Sequence, residues 1–279
     1  MLRKFIKMEG CGNDYIYFDC LNEDLPHPEQ VSITVSDRHF GIGGDGIVLI
    51  CTSDVADAKM RMFNTDGSEG KMCGNAIRCV GKYLYDHKIV TKESIDIETL
   101  SGIKHLKLNA ENGQVQSVCV DMGAPILEPK AIPVNLEGTQ IVHQDIQIGR
   151  NSYPITCVSM GNPHCIIFVE EVASMELEKI GPLFEHAEIF PEQVNTEFVR
   201  VIDEHTLEMR VWERGSGETL ACGTGACATV VAAVLNGICK QNEEVTVKLR
   251  GGELKIIHSD ETVYMTGAAR KTFEGVVEL

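Results

Sequence analysis

The chain has 279 residues, of which 43% are hydrophobic and 24% are charged. This is the composition of a globular protein with enough apolar material for one large domain or two of ordinary size. Its formal net charge of −16 argues against a nucleic-acid partner, because an acidic surface repels phosphate backbones. No apolar run has the length of a signal peptide or a membrane span, so we expect a cytoplasmic protein without a membrane partner.

Taken in chain order, the hydrophobic pattern predicts an α/β protein of the α+β type, with short strands and four helices. The predicted strands include residues 15–20, 47–51, 59–63, 95–99, 194–201, 206–212 and 245–249. The predicted helices are residues 28–37, 75–87, 174–184 and 224–235. The first and third of these helices are amphipathic and peripheral. The fourth is apolar on every side, which is typical of a helix that is buried all round.

An internal repeat runs through the chain at an offset of 149 residues (222 − 73). It aligns Gly12-Asn13 with Gly161-Asn162, Met60-Arg61 with Met209-Arg210, and Cys73-Gly74 with Cys222-Gly223. A fixed offset over such a span indicates a duplicated fold. We therefore predict two pseudo-symmetric domains, each an antiparallel sheet curled around a central helix. The predicted halves are residues 1–121, with a tail of about 268–279 packing back on them, and residues 122–267.

Two cysteines occupy the same position in the two repeats, where a polar turn leads into a predicted helix. The N–H groups at a helix N-terminus can bind an anion such as a carboxylate, and the helix dipole is expected to lower the pKa of Cys73 and Cys222. Two thiols on opposite sides of a substrate carbon can act as paired acid and base in an inversion. The alternative for any one cysteine is core packing, which is our interpretation of Cys79 and Cys227.

Other polar residues near these turns have weaker interpretations. A guanidinium such as Arg214 can bind a substrate carboxylate through two hydrogen bonds. The glycine-rich loop at residues 41–46 resembles a phosphate loop, but it lacks the Lys-Ser/Thr tail and no helix is predicted after it. His164 has no second histidine at ligand spacing, so we expect a role in a turn and no metal site. The eleven cysteines contain no C-x-x-C pair, which argues against a disulfide framework.

At these residues the sequence resembles the diaminopimelate epimerase family over essentially its whole length. The matching motifs are MEGCGNDY (8–15), DRHFGIGGDG (37–46), FNTDGSEGKMCGNAIRC (63–79), GNPH (161–164), NTEFV (195–199) and WERGSGETLACGTGACA (212–228). The resemblance implies a cofactor-independent isomerase of lysine and cell-wall precursor biosynthesis. It would interconvert LL- and meso-diaminopimelate without pyridoxal phosphate, commonly as a homodimer. The chain departs from the family at Ala76, where glycine is usual, and at Tyr15, where phenylalanine is commoner.

The resemblance also implies roles for individual residues. Cys73 and Cys222 would be the catalytic acid and base. The implied substrate-binding residues are Asn13, Asn64, Gly74, Asn75, Asn162, His164, Asn195, Glu213, Arg214, Gly223 and Thr224. Two other functions remain open: a related cysteine-pair enzyme acting on proline or hydroxyproline, and a non-enzymatic thiol redox protein.

Overall fold

The structure is a computed structural model that describes residues 2–279. Its helices are α1 (Pro28–Ser36), α2 (Gly74–Asp86), α3 (Leu177–Glu185) and α4 (Gly223–Leu235). Its strands are β1 (Leu2–Gly10), β2 (Asn13–Cys20), β3 (Gly46–Cys51), β4 (Ala58–Asn64), β5 (Glu69–Gly70), β6 (Ser94–Thr99), β7 (Gly102–Glu111), β8 (Gln114–Asp121), β9 (Gln144–Ile148), β10 (Asn151–Ser159), β11 (Pro163–Phe168), β12 (Asn195–Asp203), β13 (Thr206–Glu213), β14 (Gly217–Glu218), β15 (Glu244–Leu249), β16 (Gly252–His258), β17 (Val263–Ala268) and β18 (Arg270–Glu278). The predicted α+β class, rich in short strands, is confirmed.

The chain forms two compact units. The first contains the chain as far as Asp121 together with Thr266–Leu279, and the second is Met122–Met265. In the first unit β18 pairs antiparallel with β1. The last strand of the chain thereby extends the sheet that its first strand begins.

The two units repeat one order of strand pairing. In the first, β1–β2, β3–β4 and β6–β7 are antiparallel, and β2–β3 and β4–β6 are parallel. In the second, β10–β11, β12–β13 and β15–β16 are antiparallel, and β11–β12 and β13–β15 are parallel. This shared order is the structural counterpart of the sequence repeat and confirms the duplication. The prediction of an antiparallel sheet in each half is wrong for the parallel pairs, because helices cross between those strands and return the chain in the same direction.

Each unit has one helix inside its sheet and one on the outside. In the first unit α2 packs against β1 and β2 and also against β7 and β8, so that the sheet curls around it. Its buried residues include Ile77, Val80 and Leu84, which share one helical face. In the second unit α4 packs against β10, β11, β12, β15 and β16 and is buried along nearly its whole length.

The outer helices α1 and α3 cover the opposite faces. Val35 of α1 packs on Ile16, Phe18 and Ile47 of the first sheet. Leu177 and Phe184 of α3 belong to the corresponding core of the second sheet, together with strands β11 and β12. Both helices are peripheral, as predicted. Among residues 2–279, no helix combines the length and the apolar character needed to cross a membrane.

Candidate active site

The first cysteine turn lies between β5 and α2. Cys73 is the N-cap of α2, with an extended backbone at φ −132° and ψ 120°, and Gly74 is the first helical residue. Because the first N–H groups of a helix have no partner inside it, those of Gly74 and Asn75 are the natural donors for an anion. The side chain of Asn75 is buried, and its Oδ1 has no hydrogen-bond partner.

Asn13 forms a hydrogen bond with the sulfur of Cys73. The Cys73 Sγ lies 3.2 Å from Asn13 Oδ1 and donates to it. On the other side of the amide, Asn13 Nδ2 donates to Asp45 Oδ2 at 2.6 Å. The predicted residue Asn64 ends β4, and its Nδ2 donates to Ser68 Oγ at 2.9 Å. Asn13 therefore contacts the Cys73 thiol directly, whereas Asn64 forms a hydrogen bond within the turn that precedes Cys73.

The second cysteine turn has the same construction. Cys222 is the N-cap of α4, at φ −119° and ψ 113°, and its Sγ accepts from Gly225 N–H at 3.4 Å. The hydroxyl of Thr224 lies 3.5 Å from the same sulfur. Gly223 and Thr224 open the helix, as Gly74 and Asn75 do in the first unit. Both predicted cysteines thus occupy equivalent helix N-caps.

The expected low pKa of Cys222 is wrong. Burial raises the pKa of the Cys222 thiol well above its ordinary value, and the nearby carboxylates of Glu213 and Glu197 raise it further. Hydrogen bonds from Thr224 and the Gly225 N–H act in the opposite direction but do not reverse it. The helix dipole is thus outweighed by desolvation and two negative charges. A raised pKa favours the thiol form of Cys222, which would need a proton acceptor before it could act as a base.

Glu213 lies where such an acceptor is needed. It ends β13, hydrogen-bonds the Cys222 thiol and also accepts from Thr219 Oγ1. Burial raises the pKa of Glu213, and the charge of Glu197 adds to this effect. A carboxyl group with a raised pKa is a better proton acceptor when ionised, so that Glu213 is suited to take the thiol proton.

His164 joins the same cluster from the neighbouring strands. It lies on β11, where the parallel pairing places it beside Asn195 of β12. Its Nδ1 is 2.7 Å from Glu197 Oε1, and its Nε2 is 3.0 Å from Asn162 Oδ1. His164 and Glu197 are both fully buried. The contact with the carboxylate fixes the plane of the ring and directs Nε2 towards Asn162.

Glu197 is the residue that the sequence analysis missed. It is fully buried, and its Oε2 has no hydrogen-bond partner. A buried carboxylate is costly unless it is paired, so Glu197 needs its contact with His164. The signal was present, because Asn195 and Glu197 are two residues apart on one strand and therefore point to the same face.

Asn195 and Arg214 are joined by a hydrogen bond near the second cysteine turn. Asn195 is buried; its Nδ2 donates to Pro163 O at 2.8 Å, and its Oδ1 accepts from the Arg214 N–H at 3.0 Å. The Arg214 guanidinium donates to Glu192 O at 2.8 Å and is exposed. Asn195 thus fixes the backbone from which Arg214 projects, and Arg214 keeps further N–H groups for a carboxylate.

The second site also contains a set of groups that could hold a metal ion. The ligand atoms of His164, Glu197 and Cys222 lie within 4.8 Å of one another. Imidazole, carboxylate and thiolate are ligands that zinc accepts. An ion would have to replace the hydrogen bond between His164 and Glu197 and remove the proton of Cys222.

Known proteins resemble this chain over nearly its whole length. The family model described as diaminopimelate epimerase matches residues 5–128 and 156–272. The diaminopimelate epimerase of Methanococcus maripaludis strain C5 is 56% identical over 99% of this chain and 100% of its own. That of Acetivibrio thermocellus is 55% identical over 99% of both chains.

Solved structures show the same fold at low sequence identity. A PhzF-family phenazine biosynthesis protein from Bacillus anthracis superimposes with a TM-score of 0.70 at 16% identity, covering 100% of both chains. A hydroxyproline epimerase from Agrobacterium vitis gives a TM-score of 0.71 at 13% identity, covering 99% of this chain and 92% of its own. The extent of the family match and the identity to full-length relatives place this chain in the diaminopimelate epimerase family of isomerases.

Proposed function

We propose that this chain interconverts LL- and meso-diaminopimelate by moving protons through Cys73 and Cys222, without pyridoxal phosphate or a metal. One observation carries the proposal. Each repeat places a cysteine at the N-cap of a buried helix and adds a group at the sulfur that governs its proton. That group is Asn13 at Cys73 and Glu213 at Cys222.

The proton transfers follow from these contacts. Glu213 accepts the thiol proton of Cys222, and the resulting thiolate removes the α-proton of the substrate. The electron pair left on the α-carbon is delocalised into the substrate carboxylate. Cys73 then donates its S–H proton to the opposite face of the same carbon. The roles exchange for the other stereoisomer, and one proton leaves the substrate for each proton that arrives.

The two helix N-termini provide the electrostatic stabilisation in this proposal. Backbone N–H groups of Gly74 and Asn75 at α2, and of Gly223 and Thr224 at α4, would bind the reacting carboxylate as its negative charge grows. Preorganised dipoles of this kind stabilise a carbanion without reorganisation during the reaction. Removal of the amino acid's α-proton then needs no electron-accepting cofactor.

The remaining predicted residues would bind the distal end of the substrate. Arg214 offers N–H groups to the distal carboxylate, with Asn195 fixing its backbone. Asn64 and Asn162 would contact polar atoms of the same substrate. A second amino-acid end distinguishes diaminopimelate from proline and hydroxyproline, which lack one. The arginine therefore favours diaminopimelate over those substrates.

The proposal is tested by substrate choice without added cofactor. The purified protein is dialysed against a chelator and hydroxylamine and then assayed separately with LL-diaminopimelate, L-proline and trans-4-hydroxy-L-proline. We expect inversion of diaminopimelate alone, followed by chiral chromatography. Inversion of either proline compound instead, or activity that returns only when pyridoxal phosphate or a metal is added, would contradict the proposal.

A further inference from the structure

We propose that Asp45, in the glycine-rich loop at residues 41–46, is a positioning residue that turns the Asn13 amide so that Cys73 is held as a thiol. The catalytic importance of this positioning rests on the proposed function, whereas the contacts of Asp45 and Asn13 are independent of it. The loop resembles a phosphate loop in sequence, and this contact gives it a different role. All the groups concerned belong to the first unit.

The backbone fixes the position of Asp45. The Asp45 N–H donates to the carbonyl of Asp14 at 2.7 Å, and the Asp14 N–H donates to Asp45 Oδ2 at 3.0 Å. The next residue, Gly46, has φ +147°, and a Cβ there would lie 2.1 Å from the carbonyl oxygen of Phe63. Only glycine fits, so the loop can bring Asp45 against β2 in this way because Gly46 lacks a side chain.

The carboxylate of Asp45 decides how the amide is oriented. An ionised carboxylate can only accept hydrogen bonds, so the group of Asn13 that lies 2.6 Å from Asp45 Oδ2 must be its NH₂. The carbonyl oxygen of the same amide therefore faces Cys73 Sγ at 3.2 Å. An acceptor at this position stabilises S–H and disfavours the thiolate.

Ion pairs keep Asp45 in place. Its other oxygen, Oδ1, accepts from Arg38 Nη2 at 2.8 Å. Arg38 also pairs with Asp14 at 2.7 Å, and Asp14 pairs with Lys7 at 2.7 Å. Both oxygens of Asp45 are thus engaged, one by the cation and one by the amide.

Two titratable neighbours of Cys73, Tyr17 and Cys79, do not oppose this effect. Tyr17 and Cys79 both interact electrostatically with Cys73. Burial raises the pKa of Tyr17 well above its ordinary value and that of Cys79 to about 12. Both groups are therefore neutral near pH 7 and place no charge beside the thiol. The inference is that Cys73, before substrate binds, is held as a thiol by a residue that does not touch it.

The test is the alkylation rate of Cys73 at neutral pH, measured by peptide mass spectrometry with iodoacetamide. In Asp45→Ala the amide can turn its NH₂ to the sulfur, which stabilises the thiolate. We expect Cys73 to react about five- to tenfold faster, the factor expected for exchanging one hydrogen bond. Asp14→Asn is the matched control, because it removes a charge from the same ion-pair network and leaves the Asn13–Asp45 contact intact. It should leave the rate within about twofold of the wild type.

A double-mutant cycle separates amide orientation from charge. Asn13→Ala alone should also accelerate the alkylation of Cys73, since it removes the acceptor while the loop stays intact. In the Asn13→Ala background, Asp45→Ala should then have no further effect. An equal acceleration by Asp45→Ala in both backgrounds, or no acceleration by either single variant, would overturn the proposal. Because alkylation does not depend on turnover, these outcomes are distinguishable from a failure of the proposed function.

Discussion

At the scale of single residues, the pH dependence of activity should report Glu213. Its pKa lies above the ordinary glutamate value of 4.5, mainly because it is desolvated. Only the ionised carboxylate can accept the thiol proton of Cys222, so kcat/KM should fall as the pH falls through this raised pKa. We expect the acidic limb of the kcat/KM profile to have its midpoint above 4.5.

The control for this prediction is Glu213→Gln, which keeps the shape of the side chain and cannot accept a proton. It should lose the acidic limb together with most of the activity. An acidic limb at or below the ordinary glutamate value in the wild-type protein would show that another group receives the proton.

Glu197 should act through His164. Glu197→Gln weakens the contact that holds the ring, and we expect kcat to fall by about 10- to 100-fold, the range known for residues that orient metal-binding histidines. KM should change little, because Glu197 is fully buried and contacts the ring of His164. The ¹⁵N NMR signals of the His164 ring should shift, because the variant changes the partner of its Nδ1. Unchanged signals with lower activity would point to a purely structural role.

The sequence predicted the residues of the two turns better than it predicted their electrostatics. Cys73 and Cys222 are both helix N-caps, as the repeat indicated. The low pKa expected for Cys222 was wrong, because burial and the two carboxylates depend on strands β12 and β13, which are distant in sequence from the helix. A local rule about helix dipoles cannot account for such contacts.

At the scale of secondary-structure elements, α2 should make the protein sensitive to alkali. Burial raises the pKa of Cys79 from 9.0 to about 12. The folded state therefore holds the thiol proton while the unfolded chain releases it. The stabilising contribution of this thiol is complete below pH 9 and is lost as the pH rises towards 12. By pH 10 the loss should be about 1.4 kcal/mol.

This loss of stability can be measured by urea unfolding of the wild type, Cys79→Ala and Val80→Ala, each near neutral pH and at about pH 10. The wild type should lose more stability between the two pH values than Cys79→Ala, by about 1.4 kcal/mol. Val80→Ala is the matched control, since it makes a cavity on the same buried helix without removing a titratable group. It should lose as much between the two pH values as the wild type. Equal losses in all three proteins would contradict the assignment.

The helices and many strands could be predicted because their patterns are local. The fourth predicted helix, residues 224–235, differs from α4 (Gly223–Leu235) by one residue at its start. The parallel pairs β2–β3 and β11–β12 were not foreseen. Strand periodicity indicates which face of a strand is buried, but the direction of its partner depends on the path of the intervening chain. Here α1 and α3 provide the crossovers.

At the scale of the whole molecule, the duplication gives each unit a cysteine at the N-cap of its buried helix. The two units have the same pairing order. A short strand, β5 in the first unit and β14 in the second, ends just before each cysteine turn. The offset of 149 residues (222 − 73) was readable from the sequence because both turns keep Cys-Gly. The homodimer implied by the family resemblance stays a prediction, and sedimentation velocity at several protein concentrations would test it.

The central claim is that both thiols take part in each inversion. A single missing acid–base group commonly lowers a rate by about 10²–10⁴. Cys73→Ala and Cys222→Ala should therefore each nearly abolish epimerisation while the fold survives. Cys79→Ala and Cys227→Ala are the matched controls, because both cysteines are fully buried on the same two helices. They should affect stability more than turnover.

The measurement is the conversion of LL-diaminopimelate in deuterium oxide, followed by NMR and mass spectrometry from the first turnover. The wild-type protein should place solvent deuterium on the inverted α-carbon, and the two active-site variants should form almost no product. If either Cys73→Ala or Cys222→Ala keeps more than about a tenth of wild-type turnover, the two-cysteine mechanism is contradicted.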